Sequence, residues 1–238
     1  MHFLRRRVFL GAFFSLLILF LLTPISTQSL TAFWNTERKL LAERRRHVIT
    51  AFEHTWSGYA THCTGHDSLR PVSNACEDDL GGWGASSIDA LSTAILMERE
   101  YIVMDIFSFI SDLDFSQVRG GSSIQVFETV IRHPRGMVSA YDLLSGPFVH
   151  IATEKQLRLR LYEQMGCLAD ILTCFFNTPS GIPCNWVDPA TCTTDDATSN
   201  TLAGTSFLIL DFARLSDIKS HACAIFAKSR VIPAGPVT

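Results

Sequence analysis

Apolar residues recur at helical spacing in one stretch after another along this chain, and strand-type alternation is scarce. The chain has 238 residues and is 47% hydrophobic, which is enough for one sizeable packed domain. The sequence therefore predicts an all-α fold. Its predicted helices lie at Glu37 to Thr61, Ser86 to Leu96, Tyr101 to Leu113, Ile124 to Arg132, Lys155 to Phe176 and Leu202 to Leu215, with a further apolar-rich run at Met137 to Leu144.

Two long segments between these helices have no period. Cys63 to Ser86 and Thr178 to Asn200 are rich in Gly, Pro, Asp and Thr, which are turn-forming residues. Connections of this length in compact domains are usually functional or disordered. We therefore expect long loops that carry part of a functional site.

Charge is distributed unevenly along the chain. Residues 1–50 carry eight Lys/Arg and two Asp/Glu, which leaves twelve and twenty-one in the remainder. Nucleic-acid binding relies on clustered positive charge, so the acidic body excludes a nucleic-acid partner.

The amino terminus has the pattern of a membrane-targeting segment. Arg5-Arg6-Arg7 precede an apolar run at residues 8–23, and Pro24 ends it. We predict a cytoplasmic tail and uncleaved signal anchor over residues 1–24 and a stem over 25–47, with the following domain lumenal. A cleaved signal peptide, which would give a secreted protein, is the alternative.

Seven cysteines could pair in an oxidising compartment, and the odd count leaves at least one unpaired. Cys63/Cys76 and Cys184/Cys192 are short-loop candidates, although the sequence leaves the connectivity open. No spacing is C-x-x-C and no His stands at ligand spacing, which excludes a zinc site.

Glu128 and Arg132 are four residues apart in the predicted helix 124–132, so their side chains can pair. Taken alone, this stretch favours an ordinary surface ion pair over a functional acid. Pro134 has no backbone N–H to donate, so we predict that the helix ends or kinks just past Arg132.

Five ordered motifs give a sharper hypothesis. In chain order they are Gly65-His66-Asp67-x-Leu-x-Pro-Val-Ser73, Gly82-Trp-Gly-Ala-Ser-Ser-Ile-Asp89-Ala-Leu-x-Thr93, Val126-Phe-Glu128-x-x-Ile-Arg132, Ser139-Ala-Tyr-Asp-Leu-Leu144 and Thr178-Pro-Ser-Gly-Ile-Pro183. Together they resemble the class I α-1,2-mannosidases, glycoside hydrolase family 47, and most of all its fungal members. The resemblance covers roughly Val48 to Asp217, so residues 48–219 resemble the amino-terminal part of the catalytic domain and 220–238 form a divergent tail.

This resemblance implies part of an (α/α)7 barrel and inverting removal of terminal α-1,2-linked mannose from the oligomannose N-glycans of glycoproteins. It also implies a calcium cofactor, although the family's calcium-binding threonine has no counterpart here and no residue of this chain is assigned as a metal ligand. An endoplasmic reticulum or Golgi membrane enzyme of type II topology is the implied setting.

The motifs also assign roles to residues. Glu128 matches the family's general acid, and Arg132 matches the arginine that holds acid and sugar in place. Asp67, with His66 beside it, matches the substrate-binding Gly-His-Asp loop. Asp89 matches a motif aspartate whose role is helix positioning or sugar contact.

The chain departs from the family in places. Ser92 stands where the family has a second aspartate, Gly204 where it has a glutamate, and His133-Pro134-Arg135-Gly136 where it has a Leu-Gly-Gly run. Family members also continue well past this point and supply the base-type carboxylates there. We therefore expect no mannose release by this chain alone, and a non-catalytic mannose-binding or quality-control relative is the alternative.

Overall fold

A computed structural model describes residues 27–121, 123–151, 155–195, 197, 199–206 and 208–218. The chain divides into two compact units, Met1–His54 and Thr55–Thr238. The predicted membrane run 8–23 and the tail 220–238 lie outside the described residues.

Seven α-helices and one 3-10 turn account for most of the described chain. In order they are α1 (Thr27–His62), α2 (Ala85–Leu96), α3 (Glu100–Ser111), α4 (Val126–Ser145), α5 (Lys155–Leu172), a 3-10 turn (Thr173–Phe176), α6 (Leu202–Ser206) and α7 (Leu208–Ile218). The mostly helical prediction is confirmed. The described part of the chain contains no helix with the length and apolar character needed to cross a bilayer.

Helix α1 begins earlier than predicted, at Thr27 rather than at Glu37. Five of the ten residues at 27–36 are Thr, Ser or Asn, which have low helix propensity, and they obscure the helical signal of Leu30, Phe33 and Trp34. Within the second unit the same helix buries Trp56 and Tyr59. Cys63, just past its end, is also buried.

Helix α4 is the centre of the second unit, since it packs against α2, α5 and α7. Its buried face includes Val130, Met137 and Leu144, all with no solvent exposure. The three neighbouring helices also carry buried apolar side chains, namely Ile88 and Leu91, Leu161 and Leu168, and Phe212 and Leu215. Because it packs against three helices, α4 is held in a fixed position in this unit.

Pro134 does not end this helix. The sequence predicts an end or a kink just past Arg132. The end is wrong, because α4 continues through Pro134 to Ser145, and the kink stays a prediction. A proline inside a helix costs about 3 kcal/mol. Burial of residues on both sides of it, including Val130, Met137 and Leu144, more than offsets that cost.

Five short strands are described, four in the predicted loops and the fifth at the start of the helix predicted from Ile124. β1 (Ser68–Arg70) pairs antiparallel with β2 (Ala75–Glu77), with Leu69 opposite Cys76. β3 (Ile124–Gln125) pairs with β4 (Trp186–Asp188), which pairs in turn with β5 (Thr193–Thr194). Strands of two or three residues are too short to show alternation, which is why the sequence reads as loop there.

Two disulfides close the two long loops. Cys63–Cys76 matches one of the two predicted candidates. The other candidate, Cys184/Cys192, is wrong, because Cys192 pairs with Cys174. Cys184 is a buried free thiol whose backbone N–H donates to the carbonyl of Phe175 at 3.0 Å. Burial raises the pKa of this thiol to about 11, so it is protonated and unreactive at neutral pH.

Candidate active site

Arg132 joins two acids that the sequence separates. Its Nε donates to Glu128 Oε2 at 3.0 Å, and its Nη1 donates to Asp89 Oδ2 at 2.8 Å. Glu128 and Arg132 lie on α4, whereas Asp89 lies on α2. One planar guanidinium therefore fixes two carboxylates on neighbouring helices, which an isolated i,i+4 pair would not do. All three side chains are between 35% and 40% exposed, so a ligand can reach them.

Glu128 is further fixed by the start of its helix. Gln125, the last residue of β3, caps α4 by accepting a hydrogen bond from the backbone N–H of Glu128 at 2.5 Å. The β3–β4 pairing holds Gln125 opposite Trp186. The acid thus sits in the first helical turn, where the positive end of the helix dipole favours a carboxylate.

Gly136 allows α2 and α4 to approach each other closely. A Cβ at this position would lie 2.8 Å from Ile88 Cγ2 and 2.9 Å from the Ile88 carbonyl oxygen. Ile88 is fully buried and directly precedes Asp89. The missing side chain therefore sets the helix separation at which Asp89 reaches Arg132.

Gly136→Ala is expected to lower the free energy of unfolding by about 1–3 kcal/mol, because the added methyl meets backbone that cannot move aside cheaply. Urea denaturation measures this loss. Gly121→Ala is the matched control, since a Cβ there meets nothing within 4 Å. Equal stabilities of the two variants would contradict the close-packing argument.

Asp67 is buried, with 1% exposure, and its carboxylate accepts hydrogen bonds from backbone N–H groups. Oδ2 accepts from Leu80 N at 2.8 Å and Gly82 N at 2.7 Å, and Oδ1 accepts from Ala85 N at 3.1 Å. These bonds organise the loop that leads into α2. The observed contacts are structural, and the predicted substrate-binding role of Asp67 stays a prediction.

His66 lies beside Asp67 but faces a different partner. Its Nδ1 is 2.9 Å from Asp78 Oδ2, and its side chain is 40% exposed. Its carbonyl accepts from the hydroxyl of Tyr59 at 2.6 Å. The structure thus places the predicted residues in two groups, with Glu128, Arg132 and Asp89 in one cluster and His66 and Asp67 in the turn between α1 and β1. The contact of Asp89 with Arg132 is tertiary, so sequence spacing alone could not reveal it.

His133 is completely buried directly after Arg132. Its ring packs edge-on against Trp83 at 5.6 Å and Phe115 at 6.5 Å. Nδ1 contacts the Thr129 carbonyl at 3.3 Å, whereas Nε2 has no hydrogen-bond partner among the described residues. Burial lowers the pKa of His133, and the nearby Arg132 acts in the same direction. The carboxylates of Asp67 and Asp89 and the bond to Thr129 oppose this shift without reversing it.

The lowered pKa of His133 predicts acid sensitivity. The unfolded chain takes up the proton near pH 6.5, before the folded chain does, so stability is complete above that pH and falls as the pH drops below it. The free energy of unfolding falls by at most about 1.4 kcal/mol per pH unit, and the fall stops below the pKa of His133 in the folded chain. Urea denaturation of the unaltered chain and His133→Leu between pH 5 and 8 isolates this effect. Parallel stability curves for the two proteins would contradict it.

A cavity of about 680 Å³ lies away from the acid cluster. Its lining includes Trp56, Trp83, Phe109, Asp105 and Asp112, and it includes none of Glu128, Arg132 and Asp89. A second cavity of about 420 Å³ lies under the loop that carries the Thr178–Pro183 motif. The acid cluster instead forms part of an open surface on α2 and α4.

The described residues show no cluster of acidic side chains that fits a calcium ion. Within the described ranges, no group of three or more His, Cys, Asp or Glu side chains is placed to hold a metal ion, whereas calcium takes six to eight oxygen ligands. The calcium cofactor stays a prediction.

Comparison with known proteins identifies the family of this chain. The model of the family described as Glycosyl hydrolase family 47 matches residues 51–222. Mannosyl-oligosaccharide alpha-1,2-mannosidase of Penicillium citrinum is 43% identical over 171 residues, which cover 72% of this chain and 33% of that protein. The protein of the same name from Coccidioides posadasii is 43% identical over 180 residues, covering 76% of this chain and 34% of the relative.

A solved structure agrees with the sequence comparisons. The alpha-1,2-mannosidase from Trichoderma reesei superimposes with a TM-score of 0.74 at 38% identity, covering 79% of this chain and 40% of that one. The helical fold of the described chain agrees with that of this glycosidase structure. The chain belongs to glycosyl hydrolase family 47. It spans about a third of the length of the curated relatives that it matches.

Proposed function

We propose that this chain contributes the acid-bearing part of an inverting α-1,2-mannosidase that trims terminal mannose from oligomannose N-glycans. The observation that carries the proposal is Arg132, which holds Glu128 and Asp89 together across two helices in a chain whose relatives are named α-1,2-mannosidases. We further propose that its helices belong to an (α/α)7 barrel, in agreement with the similarity to the Trichoderma reesei protein.

In the proposed chemistry Glu128 protonates the glycosidic oxygen, directly or through a water, as the bond to the leaving sugar breaks. Arg132 orients that carboxyl group through its Nε. Inversion also needs a second carboxylate that activates water on the opposite face of the sugar. Asp89 is already bound by the same guanidinium as Glu128, and we assign this base role to none of the described carboxylates. The expectation that the chain alone releases no mannose stays a prediction.

A chimera tests the role of Glu128. Residues 51–222 of this chain would replace the matching segment of the Penicillium citrinum relative, which supplies the rest of a family-length domain. We expect the chimera to release mannose from an α-1,2-linked oligomannose. Glu128→Gln should lower the rate by roughly 10²–10⁴-fold, because loss of a general acid has that effect.

Glu163→Gln is the matched control, because Glu163 lies on α5, pairs with Arg160 and is 51% exposed. Unchanged release by the Glu128→Gln chimera would contradict the acid role. A folded chimera that binds oligomannose without releasing mannose would favour the non-catalytic relative, to which the departures at Ser92 and Gly204 also point.

We also propose a type II protein of the endoplasmic reticulum or Golgi membrane, anchored through residues 8–23. The support is the apolar run that follows Arg5-Arg6-Arg7. Fractionation of cells that express the full chain should find it in alkali-resistant membranes. Recovery from the culture medium would favour the secreted alternative.

A further inference from the structure

Arg135 lies on the same face of α4 as Glu128 and Arg132. The three positions follow each other at spacings of four and three residues, which place side chains along one stripe of a helix. Their side chains are 35%, 39% and 42% exposed, whereas Thr129 and His133 between them are fully buried. Arg135 also belongs to the segment 133–136, where the sequence departs from the family pattern.

A buried acid holds Arg135 in one orientation. Nε donates to Asp211 Oδ1 and Nη2 donates to Asp211 Oδ2, both at 2.8 Å. The Asp211 side chain on α7 is only 8% exposed, so the guanidinium covers it on the solvent side. A two-point contact of this kind fixes the plane of the guanidinium as well as its position.

This contact leaves donors available. A guanidinium carries five N–H groups, and Asp211 uses two of them. Among the described residues, nothing accepts from Nη1 of Arg135, and the side chain is 42% exposed. The outer edge of a fixed guanidinium presents parallel N–H groups, which match two adjacent acceptor oxygens such as the neighbouring hydroxyls of a sugar ring.

We propose that Arg135 forms a second sugar subsite, which binds the hydroxyl groups of the residue adjacent to the sugar held by Glu128 and Arg132. Arg132 and Arg135 are three residues apart, about 4.5 Å along the helix axis, a step comparable with the width of one sugar ring. Asp211 neutralises Arg135, which suits a neutral hydroxyl ligand rather than an anion. This subsite rests on the proposed mannosidase function.

A conservative variant distinguishes a direct contact of Arg135 with sugar from a purely structural link between α4 and α7. Arg135→Lys keeps one positive charge beside Asp211 but loses the fork of donors. Calorimetric titration of the full chain in detergent with α-1,2-mannobiose and with methyl α-mannoside would measure both affinities. We expect Arg135→Lys to weaken mannobiose binding about tenfold, as loss of a charge-assisted hydrogen bond does, and to leave methyl α-mannoside binding unchanged.

Arg214→Lys is the matched control. Arg214 makes the same kind of two-point contact between the same two helices, with Asp142 at 2.9 and 2.6 Å. Asp142 lies fourteen residues beyond Glu128, about 21 Å along the axis, out of reach of a disaccharide at the acid. Arg214→Lys should therefore leave both sugar affinities unchanged.

The other outcomes identify which proposal fails. If the unaltered chain binds mannobiose and Arg135→Lys binds it equally well, or loses affinity for both sugars alike, the subsite is wrong while the proposed function stands. If the unaltered chain, folded by circular dichroism, binds neither sugar, the subsite is contradicted, whereas the proposed function is decided by mannose release from the chimera.

Discussion

Replacing Asp67 with alanine is expected to lower the free energy of unfolding by about 3–5 kcal/mol. The substitution leaves three backbone N–H groups, those of Leu80, Gly82 and Ala85, without their acceptor in a region that is largely closed to water. Equilibrium urea denaturation measures the change, with an unaltered m-value as the sign that the denatured state is the same.

Two further variants sharpen this prediction. Asp67→Asn keeps the size of the side chain but turns an NH₂ group toward N–H donors, so it should also destabilise the protein. Asp79→Ala is the matched control in the same loop, where the side chain is exposed. A loss below about 1 kcal/mol in Asp67→Ala would contradict the structural role of this carboxylate.

Replacing Trp83 with alanine should cost a similar amount, about 3–5 kcal/mol. Trp83 is 1% exposed, its Nε1 donates to the Gln117 carbonyl at 2.7 Å, and its ring packs edge-on against Phe115 at 5.3 Å. Thermal and urea denaturation both report the loss. Trp186→Ala is the control for the residue type, because Trp186 is 46% exposed and should tolerate the change.

This variant also tests the environment of His133. Removal of the indole opens space beside the imidazole, which lies 5.6 Å from it in the unaltered protein. Water that reaches the ring would ease the burial that lowers the pKa of His133. The acid-dependent loss of stability should therefore be smaller in Trp83→Ala, and an unchanged slope would contradict the assignment of that slope to His133.

The helices could be predicted because their apolar stripes are a local property. Val126, Val130 and Met137 recur at helical spacing and are buried together on α4, as the spacing predicts. The start of α1 was missed because Thr, Ser and Asn, which have low helix propensity, interrupt the apolar residues of its first ten positions. Pro134 does not end α4 because its cost is local, whereas the burial that offsets it comes from packing against three other helices.

The candidate site was only partly predictable for the same reason. Spacing indicated the pairing of Glu128 with Arg132, which lies within one helix turn. The bond from Arg132 to Asp89 joins residues 43 positions apart, and the bonds from Arg135 to Asp211 join residues 76 apart. Contacts of that range depend on how helices pack, which no local pattern in one sequence encodes.

The pairing of Cys174 with Cys192 shows the limit of loop length as a guide. Cys184 is closer to Cys192 in sequence, yet its backbone is bonded to Phe175 and its thiol is buried. Chain entropy favours short loops only weakly, so the folded position of each cysteine decides the pairing.

The positions of the two disulfides affect how the chain responds to proteases. Cys63–Cys76 and Cys174–Cys192 enclose loop residues rather than join distant helices, with sequence separations of 13 and 18. Exposed loop tips are where proteolytic nicking concentrates. A single cut inside either enclosed loop leaves the two fragments covalently joined, so the nicked chain migrates as one band on a gel without reductant and as two bands with it.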